Sequence, residues 1–199
     1  MAQARKRPPR PVKLDRDEAG VASGERQHAA PGDAEQTADV LHLGAIDVDS
    51  ARRLLHRYDL LLDIVADDAA IPGSYWGEPE AGVIGATVYA RGDTPVHSLL
   101  HEASHLIVAP AERRAAIHTD ASDSQAEEDA TCYLQIVLAD ELPGVGSARC
   151  MDDMDAWGYT FRLGSTRAWF ERDAEDARAW LAARGLLHVA QRSQSDEAA

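Results

Sequence analysis

Apolar residues first recur at helical spacing in "DSARRLLHRYDLLLDIVADDA", where Leu54, Leu55, Tyr58, Leu61, Leu62 and Val65 share one face. This predicts a helix capped by Asp49 or Ser50. "IPGSYWGEPEAG" interrupts the pattern with Pro and Gly and reads as a loop. The period then changes to two: "VIGATVYAR" predicts a strand from Val83, with Ile84, Ala86, Val88 and Ala90 on one side. In "GDTPVHSLLHEASHLIVAPAE" the helical period returns, with Val96, Leu99, Leu100, Ala103, Leu106 and Ile107 as the buried stripe. Thr94 is its expected cap, Pro95 its first residue and Pro110 its stop.

A third helix is predicted in "SDSQAEEDATCYLQIVLADELPG", capped by Ser122, Asp123 or Ser124, with Ala130, Tyr133, Leu134, Val137 and Leu138 as its core face. "DDMDAWGYTFRLG" reads as a Gly- and aromatic-rich connection, and Asp152, Asp153 and Asp155 in it as a solvated acidic loop. "STRAWFERDAEDARAWLAARG" predicts one amphipathic helix, with Phe170, Ala174, Ala177 and Leu181 inward and Gly185 as stop. Trp157, Tyr159, Phe161, Trp169 and Trp180 read as core residues rather than a substrate cleft.

Residues 1–38 have almost no large apolar side chains and cannot offset their ordering entropy, so they read as a disordered basic and polar tail. Order is expected over 39–189 as one domain, followed by a flexible tail at 190–199. The chain carries a formal charge of −14. Its first 14 residues hold five basic side chains and no acid, so the remainder is more acidic still, at −19. Such a body repels phosphates and anionic membranes, which argues against nucleic acid and membrane partners. No apolar run approaches the roughly 18 residues of a membrane span, and the start lacks the apolar core of a secretory signal. Two cysteines, Cys132 and Cys150, make no disulfide framework and read as reduced thiols in a cytoplasmic protein.

One stretch carries chemistry. "LLHEASHLIV" sets His101, Glu102 and His105 into an apolar run. Residues four apart on a helix lie about 40° apart on one face, so both imidazoles can aim at one point. Glu102 can then reach a metal-bound water without ligating the metal. Composition alone, with 8 histidines in 199 residues, gives about 0.02 accidental matches to this pattern. A third ligand is available in "QAEEDATCYL". Glu127 is three residues before Ala130 and seven before Leu134, which puts it on the inferred core face and makes it the first choice; Glu128, about 100° away, is the competing one. His97, one turn before His101, reads as a surface residue or a support for the site. Cys132 reads as a buried thiol rather than a ligand.

HExxH followed by E-x-x-A, Glu127 to Ala130, resembles the zincin metallopeptidases, in their gluzincin branch. The resemblance covers about 50 residues, from Val83 to near Leu138. It implies an α+β, mostly helical zincin-like domain with a small sheet next to the active-site helix. It further implies zinc held by His101, His105 and Glu127, Glu102 as general base, and a peptide or protein substrate laid along the strand Val83 to Ala90. Thr131 departs from the family, which often has Asp or Asn after the alanine. The transition-state-stabilising residue does not map: His118, Tyr133, Tyr159, Arg113 and Arg114 are all open. The acidic body would favour basic peptides. Two other readings use the same residues: a non-haem iron(II) hydroxylase or oxygenase on two His and a carboxylate, and a non-catalytic zincin-like regulatory module.

Overall fold

The computed structural model describes residues 39–119, 121 and 124–187, so the two expected tails lie outside the described residues. In chain order the elements are α1 (Val48–His56), β1 (Leu61–Ile64), β2 (Gly82–Ile84), β3 (Thr87–Ala90), α2 (Val96–Val108), α3 (Ala111–Arg114), α4 (Gln125–Ala139), α5 (Gly146–Trp157), α6 (Thr166–Arg172) and α7 (Glu175–Ala183). The fold is α+β: helices dominate, and one three-stranded sheet runs in the order β1-β3-β2. Among the described residues, no helix is long and apolar enough to cross a membrane.

α2 is the centre of the molecule. It packs against β2 and β3 on one side and α4 and α5 on the other, most extensively against α4. Twelve of its thirteen residues are buried, not a stripe, and the exception is Glu102. Leu99, Leu100 and Leu106 are fully enclosed, each stabilising the fold by about 1.5–3 kcal/mol. The helix begins after Pro95, but Thr94 does not cap it. Its Oγ1 accepts from the Arg91 N–H at 2.9 Å and closes the preceding turn instead.

Three expectations of single long elements fail, each at an identifiable residue. The first helix ends at His56 rather than running on to Val65. Asp59 takes a left-handed φ of 58°, Leu60 N–H returns to Leu55 C=O, and the chain leaves as β1. Leu61 to Ile64 alternate between exposed and half-buried, a strand period hidden inside a helical one. The cap is Asp47, whose side chain accepts from the Asp49 N–H, rather than Asp49 or Ser50. The strand expected from Val83 to Ala90 is an antiparallel hairpin of β2 and β3. Gly85, at φ 59°, supplies the turn. The terminal helix breaks into α6 and α7 at Asp173–Ala174; Trp169, not Phe170, is the buried aromatic of α6.

The expected connection at "DDMDAWGYTFRLG" is helical as far as Trp157. Cys150, Met151 and Met154 are buried along α5, and Gly158, at φ 102°, caps it. Its acids lie on the helix rather than in a loop; Asp152 and Asp155 are exposed, as expected, and Asp153 is not. Asp153 is buried, ion-paired with Arg149 at 2.6 Å and bonded to the Leu41 N–H at 3.0 Å. Asp155 accepts from the Thr166 N–H at 2.8 Å.

The loop before β2 is held tightly. A Cβ on Gly82 would stand 2.2 Å from Pro72 C=O, so only glycine fits that approach. Ala81 N–H donates to the buried Ser98 Oγ on α2 at 3.0 Å. β3 is paired on both sides, and Val83 C=O in β2 accepts from Thr119 N–H at 3.1 Å. The hairpin's backbone is therefore engaged where the sequence reading offered it to a peptide.

Candidate metal centre

Two imidazoles buried in a core helix need polar partners, and α4 supplies them. His101 and His105 are 7% and 6% exposed. Their Nε2 atoms lie 3.0 Å apart. Glu128 completes the triangle, one carboxylate oxygen 3.5 Å from His101 Nε2 and the other 3.5 Å from His105 Nε2. Tetrahedral zinc with ligands at 2.0–2.1 Å has ligand–ligand edges of about 3.3 Å. The separations here, 3.0 Å between the imidazoles and 3.5 Å from each to one or the other carboxylate oxygen, fall close to that value.

The opposite ring nitrogens each meet a polar group of α4, and for His101 that group fixes the tautomer. His101 Nδ1 donates to the fully buried Gln135 Oε1 at 2.7 Å, and His105 Nδ1 lies 3.3 Å from Thr131 Oγ1. A neutral ring that donates from Nδ1 carries its lone pair on Nε2. The arrangement thus turns the His101 Nε2 lone pair, the His105 Nε2 atom and a carboxylate toward one point, a donor set that suits a divalent cation. Glu128, Thr131, Cys132 and Gln135 fall within about 100° of arc on α4. One face of one helix therefore presents the acidic group and both imidazole partners. Cys132 Sγ sits close by, 3.8 Å from Glu128 Oε1 and 4.0 Å from His101 Nδ1.

The expected third ligand, Glu127, is elsewhere. It is buried against Arg113, with which it forms an ion pair, while Glu128 takes the place expected of it. The apolar pattern misplaced the inward face. Tyr133 and Val137 are only half-buried, whereas the polar Thr131 and Gln135 are completely enclosed. α4 turns polar residues toward α2, so counting apolar ones selects the wrong neighbour. The E-x-x-A step is consequently not the one that meets the histidines. Thr131, the departure from the family pattern, is the residue that reaches His105.

The triad opens into a cavity of about 210 Å³ that Glu102, His97, Glu80, Tyr75, Trp76, Trp157 and Tyr159 also line. His97 is a buried wall residue, not a surface one. Trp157 and Tyr159 border the cavity, against the expectation that they serve only as core. Phe161 and Trp169 are core as expected, stacked at 4.7 Å. Of the five residues left open for transition-state stabilisation, Tyr159 faces the cavity. Arg113 pairs with Glu127, Arg114 donates to Tyr58 C=O, Tyr133 stacks on Phe170, and the exposed His118 contacts Thr119. Burial pushes the Tyr159 phenol well above its usual range, so it is a donor at neutral pH. Thr131, Gln135, Glu80, Tyr75 and Trp76 escaped the sequence reading. A polar residue three or seven positions after a candidate ligand was the available signal for the first two.

Compared with family models, with curated proteins and with solved structures, the chain has no significant match in any of the three.

Proposed function

We propose that the chain is a zincin-like metallopeptidase of gluzincin type that hydrolyses peptide bonds with a zinc ion held by His101, His105 and Glu128. The observation that carries this reading is the pairing of a ligand triangle of zinc dimensions with Glu102, the one α2 residue that is not buried, in the same cavity. A structural metal site has no use for such a carboxylate. When bound, the ion supplies a Lewis acid that makes water nucleophilic at neutral pH and polarises a carbonyl. Glu102 accepts the proton of the attacking water and delivers it to the leaving amine. The Tyr159 phenol, kept protonated by burial, donates to the oxygen on which charge develops. Gln135 holds the His101 imidazole in the tautomer that keeps Nε2 free of its proton, and Thr131 positions the His105 ring. The reduced, buried Cys132 and Cys150 suit a cytoplasmic protein.

Metal analysis of protein purified without chelator, joined to a peptide-library cleavage assay, tests the proposal. The expected outcome is one zinc per chain and cleavage that falls by about 10²–10⁴ in Glu102→Gln with zinc retained. Stoichiometric iron with no cleavage would move the reading to an oxygenase. Zinc without cleavage, and no effect of Glu102→Gln, would leave a non-catalytic module.

A further inference from the structure

A row of rings runs from the triad to a carboxylate that the hydrolysis does not use. Tyr159 lies 6.0 Å from His101, centroid to centroid, and 5.7 Å from His97. His97 lies 5.3 Å from Trp157. The Trp157 Nε1–H donates to Glu80 Oε1 at 2.9 Å. His97 is one helical turn, about 6 Å, before His101. In this row Tyr159, His97 and Trp157 lie between the triad and Glu80.

The chemistry of that end is specific. Among the described residues, the cavity is lined by the acids Glu80, Glu102 and Glu128 and by no Lys or Arg. Glu128 belongs to the ligand triangle and Glu102 to proton transfer, which leaves Glu80 as the surplus negative charge. Burial pushes its pKa up on balance, against the pull of the Trp157 N–H, and a cation bound beside it favours the ionised form. The rim carries two exposed aromatic residues, Tyr75 at 57% and Trp76 at 42%, set edge to face at 4.8 Å. Indole and phenol faces beside a carboxylate attract ammonium and guanidinium groups. The Ala81–Ser98 hydrogen bond anchors this loop to α2, and Gly82, which tolerates no side chain, packs it against its own Pro72–Ser74 backbone.

We propose that this end of the cavity is a subsite for a positively charged group of the substrate, an ammonium or guanidinium, bound by the Glu80 carboxylate with Trp157, Tyr75 and Trp76 around it. The inference deepens the peptidase reading and rests on it for the substrate class, whereas the binding event needs no catalysis. It narrows the substrate to peptides that present a Lys or Arg side chain, or a free α-amine, near the scissile bond.

The test uses the full chain and reads both binding and cleavage. Tryptophan fluorescence is titrated with N-acetyl-lysine methylamide, N-acetyl-norleucine methylamide and norleucine methylamide with a free α-amine. At least one cationic ligand should bind about tenfold more tightly than the neutral one. The one preferred identifies the source of the charge, side chain or chain terminus. Glu80→Gln and Trp157→Phe should each remove that preference. Equal binding of all three ligands, or a preference that survives both variants, overturns the proposal. Peptide pairs differing only in Lys against norleucine, or in a free against an acetylated N-terminus, are then cleaved in parallel. Cleavage without any charge preference sinks the subsite and leaves the hydrolase. Charge-selective binding without cleavage sinks the hydrolase and leaves the subsite.

Discussion

α2 and α4 face each other across the candidate metal centre, and they carry its information differently. α2 is buried on nearly every side, so His97, His101, Glu102 and His105 stand out among the leucines of its sequence. α4 is also deeply buried, but the face it turns to α2 is polar: Glu128, Thr131 and Gln135. The difference shows that a helix bearing metal-site chemistry can bury its polar face against the very helix it serves, leaving its apolar residues for other neighbours. In α4 those neighbours are α5 and α7.

The sharpest way to break this contrast is at the two adjacent glutamates. Glu128→Ala should lower zinc affinity by more than about 100-fold, beyond the 10–100-fold typical of losing a residue that only supports a ligand. Glu127→Ala should leave affinity within about threefold, since its partner is Arg113. Competition with a chromogenic chelator reads both. A reversed order would restore Glu127 as the ligand and mean that the first turn of α4 rotates when metal binds.

The legibility of the sequence divides along the same line. His101, Glu102 and His105 were identifiable because they form a local motif on one continuous helix, with Pro95 and Pro110 marking its limits. Ser124 was likewise among the caps foreseen for α4. What failed was everything that depends on a partner. Leu61 and Leu62 fit a helical face until β3 pairs with them. Ile84 and Val88 fit one strand until Gly85 folds them into a hairpin. Met151 and Met154 form a helical face with Cys150 and pack into the core, which the Gly and aromatic residues after them obscured. Glu128 follows the same rule in the site: it meets the histidines of α2 on a face that the apolar neighbours in its own helix do not mark.

The supporting face of α4 yields a smaller effect. Gln135→Met removes the acceptor from His101 Nδ1 and should weaken zinc binding by about 10–100-fold. Gln135→Glu keeps an acceptor at that atom and should retain most of the affinity. A purely structural role for Gln135 would instead make both variants lose stability without separating their zinc affinities. Thr131→Val, which loses a longer contact of 3.3 Å, should cost less than about tenfold.

The smallest effect falls on stability and closes the comparison from the other side. If Glu127 serves the fold rather than the metal, Glu127→Gln should lower stability while zinc binding holds. The pair is well enclosed, with side chains 9% and 22% exposed, and Arg113 also donates to Ala121 C=O at 3.2 Å. Together these bonds tie α3 and the segment before α4 to the first turn of α4. The amide keeps an acceptor for the guanidinium but loses its charge, so the expected loss is about 1 kcal/mol. For a domain of this size that is a fall in Tm of about 2–4 °C. Measured on metal-free protein, the shift reports on the fold alone; measured with zinc, it should be the same, because a ligand that binds wild type and variant equally raises both by the same amount. A Tm difference that appears only in the presence of zinc would make Glu127 part of the metal centre after all.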